Sequence, residues 1–110
     1  MEKISFEDFK KVEMRVGKII KVEDFPEARK PAYKLSIDFG KYGIKKSSAQ
    51  ITHKYSKEEL INRLVIAVTN FSPKKIANFI SEVLVLGVIT ERGVVLLNID
   101  EPVELGSKIE

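Results

Sequence analysis

The chain has 110 residues, with 19 Lys and Arg against 16 Asp and Glu, no cysteine and a single histidine, His53. This length fits one domain, residues 1–110, and the lack of thiols with only one imidazole excludes disulfides, thiol nucleophiles and the usual zinc ligand sets within the chain. No apolar run approaches the roughly 20 residues that cross a bilayer, so we expect a cytoplasmic domain that holds no metal and no cofactor.

A short helix and a strand are predicted at the N-terminus. Ser5 precedes an apolar repeat at helical spacing and suits the N-cap position, so a helix of about two turns should follow it. Residues 14–22 then alternate apolar and polar side chains, apart from Lys18, which predicts a strand with Val16 and Ile20 on its apolar face. Gly17 inside this strand indicates a strong bend or a bulge, as in a small barrel.

Two further strands are predicted in the first half of the chain. Residues 24–31, DFPEARKP, should form a loop because they hold two prolines. Clean alternation over residues 33–39 predicts a strand with one face in the core. A hairpin turn bounded by Gly40 and Gly43 then leads to a third, more polar strand over residues 44–51.

One helix and three strands are predicted in the second half. Ser56 and Glu59 match a capping box at the start of a short helix. Continuous runs of β-branched residues and leucine at residues 64–68 and 83–89 predict two buried strands, and residues 94–97 a further short one after a turn. Between the first two, Pro73 excludes an uninterrupted strand, and the apolar side chains of residues 70–82 favour an ordered loop.

The order of these elements predicts the fold. Three strands, a helix and two strands form the sequence of the five-stranded OB-fold, a Greek-key barrel that binds oligonucleotides and oligosaccharides. The expected class is all-β with small α content, with a short helix between strands three and four, an N-terminal helix and a C-terminal β extension. In such barrels the loops that join strands one to two and four to five flank the binding face.

Basic residues are concentrated where this binding face should lie. Between residues 29 and 57, eight Lys and Arg accompany a single acid, Asp38. A lysine-rich face in contact with solvent would have this pattern, and so would a basic surface that binds the phosphates of a nucleic acid. The two flanking loops favour phosphates because they interleave cations with rings, although each phenylalanine alone could be a core residue. These residues are Phe25, Arg29 and Lys30 in the first loop and Phe71, Lys74, Lys75 and Phe79 in the second.

Four long segments of the chain, in order and with matching spacing, resemble the CsaA family of export-related chaperones. That family is a branch of the dimeric tRNA-binding domains that also occur appended to methionyl-tRNA synthetases. The segments are FPEARKPAYKLSIDFG (residues 25–40), GIKKSSAQIT (43–52), VIAVTNFSPKKIANFISEVLVLG (65–87) and GVVLLNIDEPVELGSKI (93–109).

The resemblance implies an OB-fold, a homodimer built partly from the N- and C-terminal extensions, tRNA-binding architecture, and a role in protein export through binding of unfolded or preprotein chains. Asn70 and Ser81 match polar positions of the family. One departure concerns the tRNA-binding branch, which usually reads Ser-Gln-Gly-Met where this chain has Ser81-Glu82-Val83-Leu84. A carboxylate there repels phosphate unless a cation pairs with it.

No catalytic constellation is present, so we expect a binding protein and not an enzyme. His53 has no nucleophile pattern near it, and Asp100, Glu101 and Glu104 have the spacing of a plain turn. One expected ligand is structured RNA, with tRNA implied by the resemblance. The residues expected to bind it are Arg29, Lys30, Lys34, Lys45, Lys46, Asn70, Lys74, Lys75 and Ser81.

The other expected ligand is unfolded polypeptide, as in a chaperone. The residues expected to contact it are Phe25, Phe71, Phe79 and Ile80. The alternative is a structure-specific tRNA-binding protein, a synthetase-associated cofactor without a chaperone role.

A dimer is also expected because the two ends of the chain carry apolar side chains that a barrel of about 80 residues does not need internally. Symmetric pairing of such flanks is the commonest way to cover them. The expected interface residues are Phe6, Phe9, Val94, Leu96, Val103 and Leu105.

Overall fold

Two short helices and ten strands make up the fold in a computed structural model that describes residues 1–110. The helices are α1 (Phe6–Lys10) and α2 (Lys57–Leu60), and one turn of 3-10 helix covers Gly40–Tyr42. The strands are β1 (Met14–Asp24), β2 (Tyr33–Asp38), β3 (Ile44–Ala49), β4 (Leu64–Val68), β5 (Lys74–Ile76), β6 (Phe79–Ser81), β7 (Leu84–Val85), β8 (Gly87–Thr90), β9 (Gly93–Leu96) and β10 (Lys108–Ile109).

Five of these strands form the expected barrel. The hydrogen-bonded order is β3-β2-β1-β4-β7, with β10 added to the start of β1, and every pairing is antiparallel. The barrel is closed between β3 and the residues before β7 by irregular backbone hydrogen bonds. Lys46 O accepts from the amides of Glu82 at 2.7 Å and Val83 at 3.3 Å. Ser81 Oγ also accepts from the amide of Ser48 at 3.1 Å. The all-β OB-fold prediction is confirmed.

The core lies inside the barrel, and a bulge in strand β1 affects which of its side chains face this core. Ile19 is fully buried, whereas Ile20 is 40% exposed, because the β1–β2 register shifts between Ile19 and Lys21. The prediction that Ile20 faces the core is therefore wrong. Gly17 has a different role from the expected bulge: a Cβ there would lie 2.6 Å from Ile37 Cγ2 and 2.7 Å from the ring of Phe39. Its missing side chain allows close packing.

Both predicted helix starts are confirmed. Ser5 Oγ accepts from the amide of Asp8 at 3.1 Å, and Ser56 and Glu59 bond each other reciprocally as a capping box. The bond from the Ser56 amide lowers the pKa of the Glu59 carboxyl. Helix α2 places Leu60, which is fully buried, at the base of the barrel core.

The continuous strand predicted over residues 83–89 is wrong, because it divides at Leu86. Strand β7 pairs with β4 in the barrel, while β8 pairs only with β9 in a separate two-stranded sheet. Val88 and Ile89 are consequently 52% and 89% exposed, not buried. The ordered loop expected over residues 70–82 contains the β5–β6 hairpin.

The C-terminal extension is tied to the barrel at Leu96 and at its last strand, β10. Gly106 donates its amide to Val16 O at 2.8 Å, and Val16 donates to Ser107 O at 2.9 Å. Leu96 at the end of β9 is 5% exposed and belongs to the barrel core. The expectation that Leu96 lies in a dimer interface is therefore wrong. Neither helix has the length or the apolar character to cross a membrane.

Candidate functional site

An aromatic contact joins the two loops that flank the predicted binding face. Phe25, in the loop after β1, lies edge-to-face against Phe79 of the β5–β6 hairpin, with ring centroids 5.5 Å apart. The ammonium of Lys34 on β2 lies 5.5 Å from the Phe25 centroid and 6.0 Å from that of Phe79. Phe25 is only 4% exposed, so the prediction that it contacts peptide is wrong. Its ring packs the two loops together.

A cavity of about 690 Å³ opens where these two loops meet. We call it the basic cavity. Arg29 and Lys30 reach it from the first loop, and Lys74 and Lys75 from the hairpin, with Glu27 as its one carboxylate. The remaining lining residues are Ala28, Ala32, Ser48, Gln50, Ile76 and Ala77. The expectation that both cationic loops lie on one face is confirmed, and none of the four cations forms a salt bridge with an acidic side chain.

A second cavity of about 510 Å³, the apolar cavity, adjoins the basic cavity at Ser48, Lys74 and Ile76. Phe71 and Leu84, which are 56% and 47% exposed, give it open apolar surface. One cation and one carboxylate, Lys74 and Glu82, are also present. The rest of the lining is Ser48, Ser72, Ile76, Ser81 and Val83.

Strand pairing explains why three residues line both cavities. Lys74 and Ile76 lie two positions apart on β5 and therefore share a face of the hairpin. Ser48 lies opposite Lys34 in the β2–β3 register, on the outer face of the barrel. Ser48, Lys74 and Ile76 form a common wall between the basic cavity and the apolar cavity.

Several residues predicted to bind RNA lie outside both cavities. Lys45 shares the inward side of β3 with Ser47, and Lys46 is exposed on the outer side. Lys34 contacts the two phenylalanine rings described above. Of the nine predicted residues, the structure brings together Arg29, Lys30, Lys74 and Lys75, with Ser81 in the adjoining apolar cavity.

Asn70 holds the N-terminal segment to the barrel. Its Oδ1 accepts from the amide of Glu13 at 2.9 Å, and its Nδ2 donates to Lys11 O at 2.7 Å. Hydrogen bonds from Arg15 and then Thr69 lower the pKa of the Glu13 carboxyl in the same region. Both polar groups of the Asn70 side chain therefore have partners within the chain, whereas the family resemblance suggested that this residue contacts RNA.

Glu82 has a structural partner of its own. Its Oε1 accepts from the amide of Lys46 at 3.0 Å, which helps to close the barrel between β3 and β7. This contact orients the carboxylate along the edge of β3.

One cation of the predicted basic run, Lys57, is paired within the chain. Its ammonium donates to Asp24 at 2.9 Å, and that hydrogen bond raises the Lys57 pKa.

Of the four residues predicted to contact peptide, only Phe71 lines the apolar cavity. Phe79 packs on Phe25, and Ile80 lies on the opposite face of the hairpin from Ile76 and Ser81. Ile76 and Leu84 line the cavity but were not among the predicted residues. Alternation along β5 could have identified Ile76, since it lies two residues from Lys74.

Ser48 and Gln50 were also absent from the predicted set, although they line the basic cavity. Alternation along the third strand could have indicated both, because Lys46, Ser48 and Gln50 recur at period two. Their polar side chains fit the outer surface of a barrel strand beside a cationic loop.

The remaining residues predicted for the dimer interface are exposed to different degrees. Phe6 is 71% exposed and Val103 40% exposed, and Phe9 and Leu105 are half-buried. Val94 packs against the core cluster. Further exposed apolar side chains that the sequence did not single out are Ile4, Val88, Ile89 and Val95.

Comparison with known proteins gives consistent results. Residues 14–108 match the family model described as "Putative tRNA binding domain". Two solved structures are similar over almost the whole chain: a CsaA chaperone protein from Picrophilus torridus (60% identity, TM-score 0.94, 98% of this chain and 100% of that one) and a chaperone CsaA from Bacillus anthracis (48%, 0.93, 99% and 100%). The resemblance to CsaA is thus confirmed.

A curated relative places the same domain in a larger protein. The methionine–tRNA ligase of Pyrococcus horikoshii is 41% identical over 109 residues, which are 99% of this chain. This chain spans only 15% of the length of that ligase.

Proposed function

The chain belongs to the tRNA-binding domain family, and from that premise we propose that it is a non-catalytic binding protein whose basic cavity binds structured RNA, with tRNA as its ligand. The observation that carries the proposal is the meeting of Arg29 and Lys30 with Lys74 and Lys75 around one cavity of about 690 Å³. Cations on two rigidly joined loops suit a folded RNA that is recognised by shape and phosphate positions.

Salt dependence tests this proposal. If about five phosphates are neutralised, the logarithm of tRNA affinity should fall against the logarithm of salt concentration with a slope on the order of −3 to −4. Fluorescence anisotropy of labelled tRNA over a salt series measures this slope. A slope near zero would mean that the cations do not contact phosphates.

A second function, binding of unfolded polypeptide, is favoured by the apolar cavity. Phe71 and Leu84 give it exposed apolar surface, and extended chains with large apolar side chains gain free energy by covering such surface. Similarity to solved CsaA chaperones supports the same use. We therefore propose that the protein is a CsaA-like cytoplasmic chaperone with a role in protein export. It would bind both unfolded or preprotein chains and tRNA. The alternative is a synthetase-associated tRNA-binding cofactor without chaperone activity, which would suppress no aggregation of an unfolded client.

We also propose that the chain forms a homodimer. Exposed Ile4, Phe6 and Ile89 lie on the terminal extensions, where apolar surface is usually covered by a partner. Sedimentation at micromolar concentration should give twice the chain mass of 12.5 kDa. Phe6→Asp should shift the population toward monomer, because it buries a charge in the contact. A monomer mass for the unaltered protein would overturn the proposal.

A further inference from the structure

The basic cavity and the apolar cavity are two halves of one continuous surface. They share Ser48, Lys74 and Ile76 as a common wall, and β5, which carries two of these residues, is only three residues long. A ligand that covers β5 therefore covers the border of both cavities.

Lys74 is the one cation that faces both halves. Its side chain ends in a single ammonium, a compact charge that is free to pair with a phosphate or with a carboxylate. Neither salt bridge nor cation–π contact within the chain engages it. An RNA phosphate on Lys74 would therefore remove the charge that an acidic residue of a bound peptide would use.

An extended peptide is long relative to this domain. An extended segment advances about 3.3 Å per residue, so six residues cover about 20 Å. The shortest dimension of the whole domain is 27 Å. A peptide of this length that places one or two side chains in the apolar cavity and runs along the hairpin crosses the common wall. A folded RNA with a phosphate on Lys74 would occupy the same wall.

We propose that tRNA and unfolded polypeptide are mutually exclusive ligands of this surface, so that bound RNA releases polypeptide. This inference rests on the proposed function, because it needs both ligands to bind. The four cations around the basic cavity favour peptides that carry acidic residues beside apolar ones. The same preference strengthens the competition, because the peptide carboxylates and the RNA phosphates require the same cations.

A displacement experiment tests the proposal. A short fluorescein-labelled peptide of alternating Leu and Asp is titrated with the full chain at several fixed concentrations of tRNA. Under exclusive binding the apparent Kd of the peptide rises linearly with free tRNA, reaching about elevenfold at ten times the tRNA Kd. Unlabelled peptide should weaken tRNA binding reciprocally. A rise that levels off, or no rise, would overturn exclusivity.

Three single substitutions locate the overlap. Lys75 lines only the basic cavity, Leu84 only the apolar cavity and Lys74 both. Lys75→Gln should weaken tRNA binding, Leu84→Ala should weaken peptide binding, and Lys74→Gln should weaken both by several-fold. All three side chains are exposed, so the fold should be retained. If Lys74→Gln affects only one ligand, the common wall does not couple them.

The outcomes also separate this inference from the proposed function. If the protein binds tRNA and peptide together in a ternary complex, the proposed function stands and exclusivity fails. If it binds no peptide at any salt concentration, the chaperone part of the proposed function fails, and exclusivity fails with it. If it binds no tRNA, the basic cavity has been assigned wrongly.

Discussion

Lys74→Glu combined with Lys75→Glu should reduce tRNA affinity about a hundredfold. Each reversal removes a cation from the wall of the basic cavity and places a carboxylate where a phosphate would lie. Together the two changes should cost about 3 kcal/mol of binding free energy. Because two phosphate contacts are lost, the salt slope should also become shallower by about one to two units. Anisotropy of labelled tRNA at two or more salt concentrations measures both effects.

The matched control reverses two lysines outside the cavity. Lys41→Glu with Lys54→Glu changes the net charge equally, both side chains are exposed, and neither lines the basic cavity. The control should lose little affinity, because exposed charges separated by more than about 8–10 Å are largely screened at physiological salt. Equal losses in the two double variants would mean that tRNA responds only to overall charge, and full affinity in the first would exclude the cavity as its site.

The closeness of the two cationic loops could be predicted from the sequence, because it depends on strand order. Once five strands and a helix are recognised in the correct order, the OB-fold puts the loop after β1 beside the loop after β4. The roles of single side chains could not be predicted in this way. Phe25 and Phe71 occur in loops of similar composition, yet one is 4% exposed and the other 56% exposed.

Register inside the strands was harder to predict. Alternation along β1 favoured Ile20 over Ile19, but Ile20 is the extra, unpaired residue of a bulge, and the register shift there brings Val22 and not Lys21 back to the core side. The apolar run over residues 83–89 has no period at all, so nothing in it indicated that the chain leaves the barrel at Leu86. The Ser5 N-cap and the Ser56–Glu59 capping box, which depend on local sequence, were predicted correctly.

The residues that line the two cavities were only partly predictable for a related reason. Charge identified the four cations, because lysine and arginine in loops are exposed almost regardless of register. Ser48, Ile76 and Leu84 line the cavities because of the faces of the short strands that carry them. Those faces depend on pairings between β3, β5 and β7 and their neighbours that composition does not reveal.

Phe25→Ala should destabilise the fold and weaken tRNA binding, although it removes no charge. The buried ring packs on Phe79 and under the ammonium of Lys34. Truncation of a buried phenylalanine costs about 3 kcal/mol or more of unfolding free energy. Loss of the ring also leaves Arg29 and Lys30 free to move relative to Lys74, so the cations no longer match a fixed set of phosphates. Urea unfolding and tRNA anisotropy measure the two effects.

Phe71→Ala is the matched truncation on the same face, and it should produce the opposite pattern. Its ring is 56% exposed in the apolar cavity, so unfolding free energy should change by no more than about 0.5 kcal/mol while the affinity for apolar peptide falls. If Phe25→Ala lowers stability but leaves tRNA affinity intact under conditions where it is folded, the aromatic contact is not what holds the cations in place. If Phe71→Ala leaves peptide affinity unchanged, the apolar cavity is not the peptide site. The two variants thus separate packing of the loops from contact with ligand, using the same change of side chain.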